Sequence, residues 1–289
     1  MVPVKREDLF KFIKERYPIK TSLPISAVLF WGSALCCGLY DPLSICVGII
    51  TSFLALFILR ALDDISDIDL DRARGLKRGL VTGEISTKGL KIWALLALLS
   101  VFLLNPKPLA FFIIVCLCLF YLAYFKLKRA INPALLPFFT NVIFGAIPLY
   151  AWSMAREASL EGTLFLMLFL WTGACAHDFS HDVHALDETP QHIETPSVIL
   201  GPKGCARLSA ILYALSAAFG LSAWFLLRPG AGFLVALMAT SALVAYLLAP
   251  FMAHPDKERA KKFYIWGFVF FTLPLLATII EKLLLKLEG

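Results

Sequence analysis

Five aspartates fall within nine residues, Asp63-Asp64-Ile65-Ser66-Asp67-Ile68-Asp69-Leu70-Asp71. They close an apolar run, Leu43 to Leu62, that is long enough to cross a bilayer. On a helix each residue turns about 100°. Asp64, Asp67 and Asp71 therefore share one face, Asp63 lies to the side and Asp69 points nearly the opposite way. Like charges on one face repel, and a carboxylate at the hydrocarbon centre costs roughly 2.5–3.5 kcal/mol. Such a cluster belongs at the water boundary, where it can meet cations. Hard oxygen ligands of this kind suit Mg²⁺, which takes one or two carboxylates and shares a phosphate-bearing substrate. The alternative is a solvated acidic helix end.

A second acidic stretch, His177-Asp178-Phe179-Ser180-His181-Asp182-Val183-His184, comes four apolar spans later and hence on the same membrane side. Asp178 and Asp182 are four apart and share a helical face, whereas Asp187 would point away if the helix continued. Two carboxylate faces at one depth can hold one or two divalent ions, and a diphosphate bridging those ions would satisfy the charges together. Cations come to the same level: Arg72, Arg74, Lys77 and Arg78 after the first cluster, then Tyr124 and Lys128 at the next inner boundary. Arg and Lys there can neutralise the charge that grows on a leaving diphosphate. The rule that inner loops are basic would place cations there in any case. His177 and His181 are spaced like a zinc pair, but HExxH is absent and five histidines are too few for a histidine-rich di-iron membrane oxygenase. The seven cysteines show no paired framework and read as ordinary buried thiols. Asn141, alone in the fifth span, reads as a helix–helix hydrogen bond before an acceptor-binding group.

The elements that must position these groups are membrane spans. A mean hydropathy of +0.77, with 59% hydrophobic and 17% charged residues, describes a polytopic all-α membrane protein. Nine apolar runs are expected at about 21–40, 43–62, 90–104, 108–125, 133–152, 162–177, 205–227, 231–252 and 263–285. Residues 1–20 read as a basic amphipathic lead-in on the membrane surface and not as a signal peptide. With the N-terminus inside, 22 of the 27 Lys and Arg fall on inner segments, which orients the N-terminus and both acidic stretches toward the cytoplasm. Repeats and low-complexity linkers are not evident, so residues 1–289 read as one domain. Nothing suggests nucleic acid as a partner.

Taken together, these residues resemble the UbiA family of membrane prenyltransferases. That family carries NDxxDxxxD before an Arg-rich loop and DxxxD four spans later. Here Asp63-Asp64-x-x-Asp67-x-x-x-Asp71 is similar to the first motif, with Asp63 in place of Asn, and Asp178-x-x-x-Asp182 to the second. The loop from Arg78-Gly79-Leu80 to Gly83-Glu84-Ile85-Ser86 resembles RPLxxGxIS, with Gly79 in place of Pro. Tyr124-x-x-x-Lys128-Arg129 is similar to YxxxK(R), and Thr195-Pro196-Ser197 opens a segment like the one that follows the second motif. The resemblance implies about nine helices around a central cavity open to lipid. It also implies Mg²⁺-dependent transfer of a prenyl group from a polyprenyl diphosphate to a lipophilic or aromatic acceptor. On that basis Asp64, Asp67 and Asp71 would hold one Mg²⁺ and Asp178 and Asp182 another. Arg72, Arg78, Lys128 and Asp63 would serve the diphosphate, and Tyr124 would orient it or shield the allylic cation.

Two other functions stay open. A cation or proton transporter would bury its acids mid-span, whereas these cluster at span ends. A phosphatidyltransferase, also Mg²⁺-dependent, would carry DGxxAR…GxxxDxxxD, which is absent. A phosphoribosyl-transferring variant of the prenyltransferase chemistry is open as well.

Overall fold

In the computed structural model the described residues are 6–188 and 193–288, and their regular elements are helical throughout. Long runs of Leu, Ile, Phe and Ala leave the backbone no water to bond, so it satisfies itself within each helix. Among the described residues nine helical segments are long and apolar enough to cross a membrane: Ile19–Cys36, Pro42–Ser66, Thr87–Leu104, Pro108–Ala130, Pro133–Ala155, Leu160–His184, Pro196–Leu227, Ala231–Ala253 and Lys257–Leu287. Each corresponds to one expected span. The third starts early because Ser86 caps it, its Oγ accepting from Gly89 N at 3.1 Å. The seventh gains a turn before Gly201, whose φ of 70° breaks the helix ahead of Pro202. The cysteines are free, and Cys46 and Cys116 are exposed on their spans while Cys36, Cys37, Cys175 and Cys205 are buried.

The chain divides into two compact units, described separately. The first comprises residues up to Ala27 and Pro42–Lys126. It contains α1 (Arg6–Arg16), the first part of α2 (Ile19–Cys36), α3 (Pro42–Ser66), the short α4 (Ile68–Ala73) and α5 (Gly79–Thr82), α6 (Thr87–Leu104) and α7 (Pro108–Leu127). Its core gathers Phe12 of α1 and Tyr17 with Phe57, Ala61, Leu80, Ile85 and Leu90. The basic lead-in packs part of its apolar face on protein, with Phe12 fully buried against Phe57 of α3, while Phe10 stays exposed. Tyr17 donates to Phe53 O at 2.8 Å, and burial pushes its phenol well above the usual range. Asp8, also buried, lies over Gly89 in the first turn of α6, where a helix N-terminus favours negative charge and a Cβ would come within 2.6 Å of the carboxylate. Lys5 and the residues before it lie outside the described residues.

The second unit comprises Val28–Asp41 and Leu127–Gly289. Besides the rest of α2, its α-helices are the short α8 (Leu136–Thr140), α9 (Val142–Ala155), α10 (Leu160–His184), α11 (Pro196–Leu227), α12 (Ala231–Ala253) and α13 (Lys257–Glu288). α10 packs against α9, α11 and α13. Phe169 of α10 meets Phe233 and Phe270 at ring-centroid distances of 5.9 and 5.7 Å. Small hydroxyls bond across the helices: Ser209 donates to Ala176 O at 3.0 Å and Ser216 to Phe169 O at 2.6 Å. Gly32 allows α2 to touch α13, since a Cβ there would stand 2.5 Å from that of Leu275.

Candidate functional site

The first acidic stretch begins on the last turns of α3 and continues into α4. The helix does not run straight through: Asp67 has φ −101° and ψ 10°, although Asp67 N still bonds Asp63 O and Asp71 N still bonds Asp67 O. Past this bend Asp64 and Asp71 still share one cleft, and Asp67 is not part of its lining. Asp64 and Asp71 are buried, at 4% and 3% exposure, and line a tightly closed cleft with Phe12, Glu15, Arg16, Arg78, Leu80 and Ile85. Asp67 accepts from Ser66 Oγ at 3.0 Å. Asp63 is half-buried, and its carbonyl accepts from the Ser66 hydroxyl at 2.8 Å.

Each buried carboxylate meets a guanidinium. Arg16 Nε donates to Asp64 Oδ2 at 2.7 Å and Nη2 to Oδ1 at 2.9 Å, a two-pronged pair. Arg60, one turn earlier on α3, adds a second cation at 3.5 Å. Arg78 pairs with Asp71. Arg72 sits elsewhere, exposed and paired with the exposed Asp69 at 3.0 Å. The Nε–H groups of Arg60 and Arg74 are buried and donate to no partner among the described residues. A buried donor without an acceptor is costly, and two such donors near an acidic motif suit an incoming anion. Glu15 completes the cleft by accepting the Gly79 N–H at 3.1–3.2 Å. Gly79 occupies the loop position where the resemblance gives Pro, which has no N–H to donate.

The second acidic stretch closes α10. Asp178 Oδ2 accepts from Asn141 Nδ2 at 2.7 Å, and the same amide donates to Pro137 O at 2.8 Å. Asn141 is therefore the helix–helix bond expected, and its partner is a motif carboxylate. Asp182 Oδ2 accepts from Ser197 N at 2.5 Å, in the first turn of α11, while Ser197 Oγ donates to Asp182 O at 3.3 Å. The Thr195-Pro196-Ser197 segment is thereby tied to the second motif. Asp187 lies past the end of α10 in a short turn, exposed.

His177, His181 and His184 form one stripe against Tyr264, with ring centroids at 5.5, 5.0 and 5.4 Å. Their packing on α13 accounts for their spacing. Tyr124 is buried between Tyr121 and Phe125, with ring centroids at 6.0 and 5.1 Å, and Lys128 follows in the turn after α7. Among the described residues no three His, Cys, Asp or Glu side chains converge as a ready-made metal cage. Sequence reasoning missed Arg16, Glu15 and Arg60. The first two belonged to a lead-in read as a membrane-surface segment, and no local spacing links them to partners 48 and 64 residues away.

The model of the UbiA prenyltransferase family matches residues 25–273. Among curated proteins none matches the chain. Solved structures show the same fold. One, described as giving insights into digeranylgeranylglyceryl phosphate synthase in membranes, is 20% identical with a TM-score of 0.72, over 95% of this chain and 98% of that one. The apo structure of a UbiA homolog from Aeropyrum pernix K1 is 18% identical with a TM-score of 0.73, covering 92% and 98%. A UbiA homolog from Archaeoglobus fulgidus bound to GPP and Mg²⁺ is 14% identical with a TM-score of 0.59, covering 93% and 99%.

Proposed function

The chain belongs to the UbiA prenyltransferase family, and we propose that it transfers a prenyl group from a polyprenyl diphosphate to an aromatic or other lipophilic acceptor, releasing diphosphate. The observation that carries this reading is the cleft in which buried Asp64 and Asp71 stand among Arg16, Arg78 and Glu15. Buried carboxylates beside unsatisfied guanidinium donors are what a metal-bound diphosphate requires. Mg²⁺ is the metal that the family and the all-oxygen donor set support. Its chemistry when bound is Lewis-acid stabilisation of the departing diphosphate.

In this reading Asp64, Asp67 and Asp71 hold one ion, and Asp178 and Asp182 another. Arg78 and Lys128 bind diphosphate oxygens as the C1–O bond of the donor breaks, with Asp63 and Arg72 serving the same group from the edge. Tyr124 turns its ring toward the allylic carbon, where a π-face stabilises positive charge. The acceptor then attacks C1 and loses a proton. The family match runs through both units, which supports a single prenyltransferase domain over the whole chain. The excess of Lys and Arg on inner segments supports an N-terminus and acidic motifs on the cytoplasmic side.

The test is Mg²⁺-dependent release of diphosphate by the purified protein in lipid, across prenyl diphosphates of increasing length. Each donor is run with and without phenolic and glycerol-based acceptors. Acceptor-dependent release that ceases with EDTA is the expected result. Folded protein that releases nothing with any donor would overturn the assignment.

A further inference from the structure

Arg16 stands where a metal's charge is wanted. Its fork takes both oxygens of Asp64, Arg60 lies 3.5 Å from the same carboxylate, and Arg78 takes Asp71 in the same cleft. Two buried carboxylates are thus already neutralised by arginine. A divalent ion entering by itself would share its ligand oxygens with guanidinium groups and be repelled by them. A diphosphate entering by itself would find the guanidinium groups of Arg16 and Arg78 committed. When both enter, the arginines can pass from carboxylate to phosphate oxygens, which accept the same two-pronged geometry, and the carboxylates are released to the metal.

We propose that Arg16 is a positioning residue that couples the two ligands: it holds Asp64 in the empty site and passes to the diphosphate when donor and metal bind. The inference rests on Asp64 and Asp71 being Mg²⁺ ligands. The mounting of Arg16 suits the role. Its backbone is fixed, because Phe12 is fully buried, Glu15 accepts the Gly79 N–H and Tyr17 bonds Phe53 O. Its side chain retains 18% exposure, so the guanidinium can move while α1 stays. Glu15 and Arg16 are neighbours, one anchoring the helix to the loop that carries Arg78 and the other reaching the metal ligand. Because coupling between two ligands is reciprocal, Arg16 makes Mg²⁺ and donor each tighten the other.

The experiment measures Mn²⁺, as a probe for Mg²⁺, by the loss of its free electron-paramagnetic signal. The full-length protein in lipid is titrated without donor and with saturating geranyl diphosphate, after subtracting complexation in buffer. In the unmodified chain, geranyl diphosphate should tighten Mn²⁺ by a factor of about 5–150, the usual range of such coupling. Arg16→Gln should tighten donor-free Mn²⁺ about tenfold, by removing the competing cation, and shrink the coupling by the same factor. Arg16→Lys keeps the charge without the fork and should fall between. A merely structural role predicts the opposite sign, since a disordered Asp64 binds metal more weakly. Donor-free affinity unchanged or weakened in either variant, with unfolding temperature showing a folded protein, overturns the proposal. If Arg16→Gln does not fold, Arg16→Lys decides on the same criterion. Absence of Mn²⁺ binding by the unmodified chain even with geranyl diphosphate would instead overturn the metal assignment itself.

Discussion

The two acidic stretches end helices of the same kind, yet their carboxylates are held by different chemistry. In the first, Asp64 and Asp71 meet guanidinium groups of Arg16, Arg60 and Arg78. In the second, Asp178 meets the amide of Asn141 and Asp182 the backbone N–H of Ser197. A cationic partner neutralises a carboxylate and competes with a metal. A neutral donor orients the carboxylate and leaves its charge for the metal, as outer-shell partners of metal ligands do. The first stretch therefore receives an ion only when something else takes its arginines, whereas an amide and a backbone N–H are among the groups that orient the second. Motifs that look alike in sequence thus differ in what must happen before they can work.

The largest effects that test this contrast come from replacing one carboxylate in each stretch. In Asp182→Asn the side-chain oxygen can still accept from Ser197 N, so the start of α11 stays tied while the charge is lost. Turnover, kcat/KM, should fall by about 10³-fold or more, since a metal supplies several kcal/mol to the departing charge, with little change in Tm. Asp64→Asn should lose as much turnover and also be destabilised by about 2 kcal/mol, because Arg16 and Arg60 lose their counter-ion. That figure is reduced from the roughly 3–5 kcal/mol of a fully buried pair because Arg16 reaches solvent. Chemical unfolding of both variants checks it. Equal destabilisation of the two would erase the distinction drawn between the stretches.

How much of this was legible in the sequence depends on the range of the interaction. The nine spans were, because a membrane forces each apolar run into a helix regardless of its neighbours. The acidic motifs were, because five aspartates in nine residues stand out in any apolar chain. The shared face of Asp64, Asp67 and Asp71 was legible only in part, since the bend at Asp67 is set by where α3 ends and nothing in the local spacing announces it. Arg16 and Glu15 were not legible as site residues. Both were read by composition, as part of a basic lead-in, while their roles come from contacts 48 and 64 residues away. Asn141 lay between: a lone amide in an apolar span demands a partner, but its place 37 residues before Asp178 does not name that partner.

A smaller effect sharpens the second half of the contrast. Asn141→Leu keeps the size of the side chain and removes the amide that holds Asp178 at 2.7 Å. If a neutral donor prepares the carboxylate for metal, the Mg²⁺ concentration for half-maximal activity should rise about 10–100-fold. The rate at saturating Mg²⁺ should fall much less. A titration of activity against Mg²⁺ reads this directly. A lowered maximal rate with the same Mg²⁺ requirement would mean that Asn141 acts on the acceptor and not through Asp178.

The smallest effect probes how α1 is fastened to the first stretch. Gly79→Pro suits the backbone: Arg78 has ψ 148°, the extended conformation preferred before Pro, and residue 79 opens α5, where Pro is tolerated. The new ring would press on Ile85, whose Cδ1 and Cγ1 a Cβ approaches to 2.6 and 2.8 Å, so this buried side chain must shift and adds a packing cost of its own. What is lost is the N–H that Glu15 accepts. Because Glu15 is largely exposed, the loss should be about 1 kcal/mol, the net worth of an ordinary hydrogen bond, measured by chemical unfolding. Glu15→Ala should cost a similar amount without the packing cost, and the double variant little more than Gly79→Pro, since both remove the same bond. Additive losses would show that Glu15 and Gly79 stabilise the unit separately. In that case Arg16 would reach Asp64 from a helix held by Phe12 and Tyr17 alone, and the loop carrying Arg78 would take no part in placing it.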